Sequence, residues 1–369
     1  MIRRKRRNAM TRLRIAVVPL ETNNPYQELL YSGMRAQGAE VCYLGTITRS
    51  ATLNQLLMPA ELLARRLAGT RLVHLHWTYG FGTRWSHRFP ILRRIMQGWF
   101  LFFLWTTRAL DMRFVWTAHN VLPMYPVFAD DRYVRGRIIA ASDLVIAHSR
   151  ATLDRLAELG MPPRKAAVIP HGQYVPSASP EALRVPGSTP GPRQVLFFGR
   201  VESYKGIDDL IAAFEALPGT VNAHLTVAGE CPDEELSTAL SALVRRLPER
   251  VSIRLERVPD KRVTALLESA DIVVLPYRQS TTSGSAVLAL SHGRPLVIPN
   301  LPGLAELPDD AAFRYDGTVA GLAHELTEAL HADEMTLANM SSAAYKYCAA
   351  LSWPEIADRT FNEMAKLFR

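Results

Sequence analysis

Val195-Leu196-Phe197-Phe198-Gly199-Arg200-Val201-Glu202-Ser203-Tyr204-Lys205-Gly206 is the stretch on which the fold turns. Four apolar residues in a row suit a short strand buried on both faces, and Ile207-Asp208-Asp209-Leu210-Ile211 opens a helix directly after the turn. Strand, glycine turn and helix together make one unit of a parallel α/β sheet, because parallel neighbours need a crossover and a helix usually supplies it. The alternation continues downstream: strands are expected at 224–228, 252–255, 272–276 and 295–298, with helices at 207–216, 234–247, 261–268, 285–291, 319–332 and 337–350. It also runs back to the start, with strands at 14–20, 40–44, 72–75, 113–117, 144–147 and 167–169 and helices at 25–37, 53–67, 89–109, 131–140 and 150–159. Between the two runs, 175–194 (VPSASPEALRVPGSTPGPRQ) is dense in Pro, Ser and Gly and has no periodicity. The sequence therefore predicts two doubly wound α/β domains at 1–178 and 195–351, a linker at 179–194, and a closing amphipathic helix at 352–369. Ligands in such folds bind at the carboxyl ends of the strands, so two facing domains are expected to make a cleft, and function is sought in the loops after strands.

Composition allows two cores: of 369 residues, 48% are apolar and 21% charged. Cys42, Cys231 and Cys348 share no paired spacing, which excludes a disulfide framework and a recognisable zinc site and fits a reducing cytoplasm. The basic opening MIRRKRRNAMTRLR leads only into Ile15-Ala16-Val17-Val18-Pro19-Leu20, too short for export. The longest apolar run elsewhere, GWFLFFLW at 98–105, is about half a bilayer span, so no transmembrane segment is expected. The net charge of +8 is sorted by half: residues 1–180 hold 25 Lys+Arg against 10 Asp+Glu, and the remainder 18 against 25. A basic first half points to an anionic partner, either a membrane surface or a nucleic acid. Residues 84–108 (RWSHRFPILRRIMQGWFLFFLWTTR) mix arginine with Phe, Trp, Leu and Ile, which suits a helix lying among anionic headgroups and equally a long buried helix with charged ends. The charge excess of the same half favours the headgroups, and with them a cytoplasmic protein peripheral to the membrane. Aromatic and basic residues do not interleave as a stacking platform would require, so no nucleic acid is expected.

Gly199 lets the chain turn where the strand ends, and Arg200 and Lys205 then flank the loop. A planar fork and a mobile point charge held together suit a diphosphate. Solvated surface cations would read the same on charge alone; their place between a buried strand and a helix start argues for a ligand. The second piece is Ser280-Thr281-Thr282-Ser283-Gly284-Ser285, again between strand and helix. One hydroxyl would suffice for a helix cap, so the excess at Thr282, Ser283 and Ser285 around Gly284 points to an anion at the helix N-terminus. No Gly-Lys-Ser/Thr loop or GxGxxG fingerprint is present, which argues against an NTPase or a dinucleotide dehydrogenase.

Phe198-Gly199-Arg200 with Lys205-Gly206, Val227-Ala228-Gly229, Ala270-Asp271-Ile272-Val273-Val274-Leu275-Pro276 and His292-Gly293-Arg294-Pro295-Leu296-Val297 form an ordered set. It resembles the donor half of the glycosyltransferases built from two facing Rossmann-like domains, the GT-B fold. The resemblance implies that Arg200 and Lys205 contact the donor diphosphate and that the helix at 353–368 crosses back onto the first domain. Many retaining members carry Glu, seven residues, Glu across this turn; the matching positions here are Ser280 and Leu288. The Thr-Ser-Gly-Ser turn is similar instead to a branch that includes bacterial β-mannosyltransferases of exopolysaccharide assembly, which use GDP-mannose and invert. Retention against inversion stays open at this level.

In Val115-Trp116-Thr117-Ala118-His119-Asn120 a histidine stands just past a strand, and sugar transfer needs a base for the acceptor hydroxyl. His119 is the first candidate for catalysis, with Asn120 beside it for the acceptor. In Leu72-Val73-His74-Leu75-His76-Trp77, alternation sends His74 and His76 to one side of the strand. With no third ligand apparent they read as buried, hydrogen-bonded rings, His76 keeping a place near substrate. Asn23, Asn24 and Tyr26, after the first strand, either bind the acceptor or make a turn. His171 is assigned by the resemblance to the interdomain segment. No metal site and no resident cofactor are expected, the nucleotide sugar being a co-substrate.

The expected function is transfer of a sugar, best guessed as mannose from GDP-mannose, to a lipid-linked or polysaccharide acceptor. An epimerase or hydrolase on the same fold would turn over the donor without acceptor. A non-catalytic membrane or nucleic-acid module with a degenerate donor site would bind without transfer.

Overall fold

The computed structural model describes residues 13–22, 24–81, 89–123, 125–174 and 185–369. They divide into two compact units, Met1–Pro170 with Trp353–Arg369, and His171–Ser352. Of the expected linker, residues 179–184 lie outside the described residues, and Arg193 already belongs to a strand.

Unit 1 is a parallel sheet of β1 (Arg14–Val18), β2 (Glu40–Tyr43), β3 (Leu72–Leu75), β4 (Arg113–Ala118), β5 (Leu144–Ala147) and β6 (Ala166–Val168), in the order β2-β1-β3-β4-β5-β6. Alternate strand residues feed two cores. Ala16, Val18, Val73, Leu75, Phe114 and Trp116 face one, and Ile15, Val17, Leu72, Val115, Leu144 and Ile146 face the other. On the first side lie α2 (Ala51–Leu67), α3 (Pro90–Ala109), α4 (Asp131–Ala141) and α5 (Arg150–Glu158), contributing Met58, Leu62, Phe100, Phe103, Ile138 and Leu156. Asp130 caps α4 through the Tyr133 amide, as a helix start there requires. Gly160, just past α5, takes a left-handed φ of 75° and ends it.

The second core is closed by α1 (Tyr26–Ala36) and the last long helix, Trp353–Ala365. These helices approach so closely that a Cβ on Gly33 would lie 2.6 Å from the Ala357 Cβ. Arg359 adds a hydrogen bond to the Val168 carbonyl at 2.8 Å.

Unit 2 repeats the plan with β7 (Arg193–Phe198), β8 (Ala223–Ala228), β9 (Val251–Arg254), β10 (Ile272–Val274), β11 (Leu296–Pro299) and β12 (Ala312–Tyr315), all parallel, in the order β12-β11-β10-β7-β8-β9. The sequence reading missed β12. It is an edge strand paired only to β11, and Ala312, Phe313 and Arg314 are half-buried rather than apolar on both faces. Its helices include α6 (Ile207–Glu215), α7 (Glu234–Val244), α8 (Asp260–Ser269) and α9 (Gly284–Ser291), of which α6 after β7 and α9 after β10 matter for the site.

Candidate active site

In unit 2 the strand order reverses direction between β7 and β10, since β8 lies beyond one and β11 beyond the other. Connections leaving two neighbouring strands in opposite directions open a crevice at their carboxyl ends. Both loops singled out by sequence leave from these two strands.

Gly199 has φ 139°, and a Cβ there would sit 3.0 Å from the Ser285 Oγ, so the two loops meet. Gly206 has φ 65°, and its Cβ would fall 2.2 Å from the Pro276 carbonyl oxygen, inside contact distance for any side chain. Lys205, between them, extends over two aromatic rings, its Nζ 3.8 Å from the Tyr277 centroid and 4.9 Å from that of Tyr204. Burial works to lower its pKa, but Tyr277 and Tyr204 together outweigh it and the net shift is upward, so Lys205 stays a cation. Burial raises Tyr204 to about 12, against the pull of Lys205. The Tyr277 hydroxyl lies 3.2 Å from the Ser283 Oγ, and that oxygen accepts from the Ala286 amide at 3.1 Å, capping α9. Lysine, ring, hydroxyl and helix N-terminus are thus one connected group. Arg200 is exposed, its Nε 3.1 Å from the buried carboxylate of Glu202. Arg278 pins the loops together through Asp208 (2.7 Å), Asp209 (2.8 Å) and the Ser203 carbonyl (2.7 Å). Its charge is spent on the scaffold, and the hydrogen bonds it donates to both aspartates raise its pKa further.

At the positions matching the glutamates of retaining enzymes, the Ser280 hydroxyl donates to the Thr282 carbonyl at 3.1 Å and Leu288 packs against the unit 2 core. What remains is a crevice with two cations and a helix N-terminus, an environment for a diphosphate.

In unit 1 the reversal falls between β1 and β3, and histidines crowd the carboxyl ends there. Thr117 on β4 meets the His74 Nε2 at 2.7 Å, and the His74 Nδ1 meets the Tyr31 hydroxyl at 2.6 Å. That hydroxyl also meets the His76 Nε2 at 2.7 Å, so His74 on β3 and His76 just past it do face one side. The His76 Nδ1 lies 3.0 Å from the His119 Nε2, the His119 Nδ1 3.3 Å from the His148 Nε2, and the His148 Nδ1 2.9 Å from the Ile169 carbonyl. Burial lowers the pKa of His74 to about 3 and of His148 to about 4, and that of His76 well below its usual value. Trp77 stacks on His119 with centroids 4.2 Å apart, and Tyr26 meets it edge-on at 4.8 Å.

These positions separate the acceptor candidates by burial. Tyr26 is 2% exposed, walled by Trp77, His76, His119, His148 and Trp353, and His76 is 1% exposed with both nitrogens engaged. Both are buried beneath the half-buried His119. Asn24 spends its side-chain oxygen on the Tyr26 amide at 2.9 Å, while Asn120 is exposed beside the half-buried His119. Asn23 lies outside the described residues, as do 84–88 of the basic-apolar segment. Among the described residues no group of three His, Cys, Asp or Glu side chains is placed to hold a metal ion.

Residues 192–332 match the family described as "Glycosyl transferases group 1", and residues 33–173 match "Glycosyltransferase Family 4". Sucrose-phosphate synthase from Thermosynechococcus elongatus superposes on 97% of this chain and 99% of its own, with TM-score 0.72 at 18% identity. The chain belongs to the GT-B glycosyltransferases. Among curated relatives, glycogen synthase of Mycobacterium tuberculosis is 28% identical over 236 residues, 62% of this chain and 55% of the relative. The GDP-mannose:glycolipid 4-beta-D-mannosyltransferase of Xanthomonas campestris pv. campestris is 28% identical over 134 residues, 35% of this chain and 38% of the relative. The aligned stretch thus spans about half the length of the first of these relatives and less of the second.

For a GT-B glycosyltransferase the sequence named the cations but not their seats. Tyr277 and His148 each stand just past a buried strand, as His119 does, and the same rule would have found them. Tyr31 lies inside α1 among core residues, and nothing in its spacing distinguishes it. His171 and Tyr174 pair at 3.0 Å beside the turn at Gly284, whose Cβ would lie 3.3 Å from the Tyr174 hydroxyl. His171 is therefore part of the unit 2 site wall.

Proposed function

We propose that the protein transfers a mannosyl group from GDP-mannose to a hydroxyl of a glycolipid at an anionic membrane surface. The observation that carries the reading is the crevice of unit 2, where Gly199, Arg200, Lys205 and the turn Thr282-Ser283-Gly284-Ser285 surround a place suited to a diphosphate. The name of the Xanthomonas relative supports the donor and acceptor. In the transfer, the acceptor oxygen bonds to the anomeric carbon while the bond from that carbon to the diphosphate breaks. The acceptor proton passes to His119, and the nucleoside diphosphate leaves with its new charge held by Arg200, Lys205 and the helix N-terminus. A base on the acceptor side, with no carboxylate at position 280 or 288, fits a single displacement with inversion. No resident cofactor is required.

The membrane part rests on α3. Ile91, Ile95, Phe102 and Trp105 are exposed and recur at the spacing of one helix face, with Gly98 and Ala109 between and beyond them and Arg94 alongside. On α2, Leu53, Leu56, Leu63 and Leu67 form a second exposed stripe. Among the described residues no helix is long and apolar enough to cross a membrane.

Calorimetry with GDP, UDP, GDP-mannose and UDP-glucose tests the donor. Binding of GDP and GDP-mannose that the uridine compounds do not match is expected. Preference for UDP-glucose would transfer the reading to a glucosyl donor. Failure to bind any of them would favour the degenerate binding module, and donor breakdown without acceptor the epimerase or hydrolase.

A further inference from the structure

The hydrogen bonds through Thr117, His74, Tyr31, His76, His119 and His148 have a direction, and the Ile169 carbonyl sets it. A carbonyl oxygen only accepts, so the His148 Nδ1 at 2.9 Å must carry the hydrogen. A neutral ring has one N–H, so the His148 Nε2 holds a lone pair, and the His119 Nδ1 facing it at 3.3 Å must be the donor. With His119 neutral, as a base awaiting its proton must be, the His119 Nε2 holds a lone pair and accepts from the His76 Nδ1–H at 3.0 Å. The His76 Nε2 accepts from the Tyr31 hydroxyl, whose oxygen accepts from the His74 Nδ1–H, and the His74 Nε2 accepts from Thr117. Every bond is satisfied with four neutral rings, all carrying hydrogen on Nδ1. Reversing the order in neutral rings would set a nitrogen lone pair against the Ile169 carbonyl. Burial independently keeps His74, His76 and His148 neutral.

We propose that His148 is a positioning residue that orients His119, with His76 and Tyr31 completing the arrangement. Anchored by Ile169, the His148 Nε2 accepts the His119 Nδ1–H and fixes Nε2 as the nitrogen that takes the acceptor's proton. A base held by a third group on its far nitrogen is the general arrangement of activated nucleophiles, here with a neutral acceptor in place of a carboxylate. The His76 N–H occupies the His119 Nε2 lone pair until the acceptor hydroxyl replaces it, so the base is engaged before substrate and released by it. Trp77, stacked on the ring, prevents His119 from tilting away. The proposal rests on His119 being the base, but the tautomer it requires is observable without turnover.

The test is a long-range nitrogen–proton correlation spectrum of the full chain carrying 15N-histidine at neutral pH, with rings assigned by single substitutions. His74, His76, His119 and His148 are expected as Nδ1–H tautomers, the opposite of the form that histidine prefers in water. His148→Leu should release His119 to a mixture rich in Nε2–H and lower kcat about 10- to 100-fold, the usual cost of losing an orienting partner, with the KM for donor unchanged. His148→Gln, whose side-chain oxygen can again accept from the His119 Nδ1–H, should restore most of the loss. Tyr31→Phe offers a milder break that removes only the hydroxyl. A wild-type His119 carrying its hydrogen on Nε2, or a His119 tautomer indifferent to His148→Leu, would overturn the proposal. Normal turnover in His119→Ala would remove the base assignment, and the positioning role with it, while leaving the tautomer result intact.

Discussion

The two units share a fold plan and place their polar residues by opposite rules. In unit 2 the site keeps its charge: Arg200 is exposed and Lys205 stays cationic between two tyrosines. In unit 1 the site discards charge: burial keeps His74, His76 and His148 neutral, and they line up with the half-buried His119. The first arrangement suits an anion that arrives fully charged. The second suits a proton that has to be accepted at one atom and no other, because a base surrounded by water would have no fixed orientation. In the proposed function, two doubly wound sheets serve binding and proton transfer through what stands at the ends of their strands.

The contrast breaks most visibly at His119. His119→Ala is expected to lower turnover by about 10²- to 10⁴-fold, the range of a lost general base, with donor affinity unchanged by calorimetry. A fall in donor affinity equal to the fall in turnover would place His119 on the donor instead. Next come the cations of unit 2. Each charge-assisted contact is worth about 1.5–3 kcal/mol, so Lys205→Ala should weaken GDP-mannose binding by about 10- to 150-fold. Arg200→Ala should cost less, because Arg200 is exposed and shared with Glu202. Normal donor affinity in both variants would end the phosphate assignment.

How legible each site is in the sequence follows the same division. Arg200 and Lys205 are loop cations beside glycines with positive φ, and both signals are local. The histidine chain is assembled from α1, β3, β4 and the residue after β5, so its pieces lie far apart in sequence. Alternation along β3 did place His74 and His76 on one side. It could not supply Tyr31, a tyrosine that looks like core and is core, distinguished only by what its hydroxyl touches. Tyr26 shows the converse: it follows a strand in what reads as a polar loop, yet its ring is buried. The sheets were legible because their strands are apolar on both faces, and β12 escaped because it is not.

Acid sharpens the comparison. The pKa values of His74, His76 and His148 are lowered by folding, so the unfolded chain takes up protons near pH 6.5 that the folded chain refuses. Their contribution is intact above pH 6.5 and is lost as pH falls toward about 4 for His148 and about 3 for His74. The slope is about 1.4 kcal/mol per pH unit for each ring. Unit 2 has a counterpart in His292, lowered to about 4 by burial and by Arg294. The five described tryptophans (Trp77, Trp99, Trp105, Trp116 and Trp353) lie in unit 1 and Trp85 falls within the same span of sequence, so their fluorescence follows that unit alone, whereas far-ultraviolet dichroism follows both. Acid titration should move the fluorescence at a higher pH than the bulk of the dichroism. Coincident curves would mean that the histidines do not set the acid stability of unit 1.

The smallest expected effect concerns the exposed face of α3 in unit 1. Phe102 and Trp105 are exposed with stacked rings 5.7 Å apart, an apolar surface that water does not favour. If that face meets lipid, Phe102→Ser with Trp105→Ser should weaken binding to vesicles containing an anionic lipid by about tenfold, the loss of roughly 1.4 kcal/mol of apolar transfer. Donor affinity should not change, because unit 2 is untouched. Added salt should weaken wild-type binding in parallel, since the arginines contribute through screened charge. Binding that survives the double substitution but falls with salt would reduce the membrane contact to charge alone. Binding that neither change alters would place the contact elsewhere on the chain.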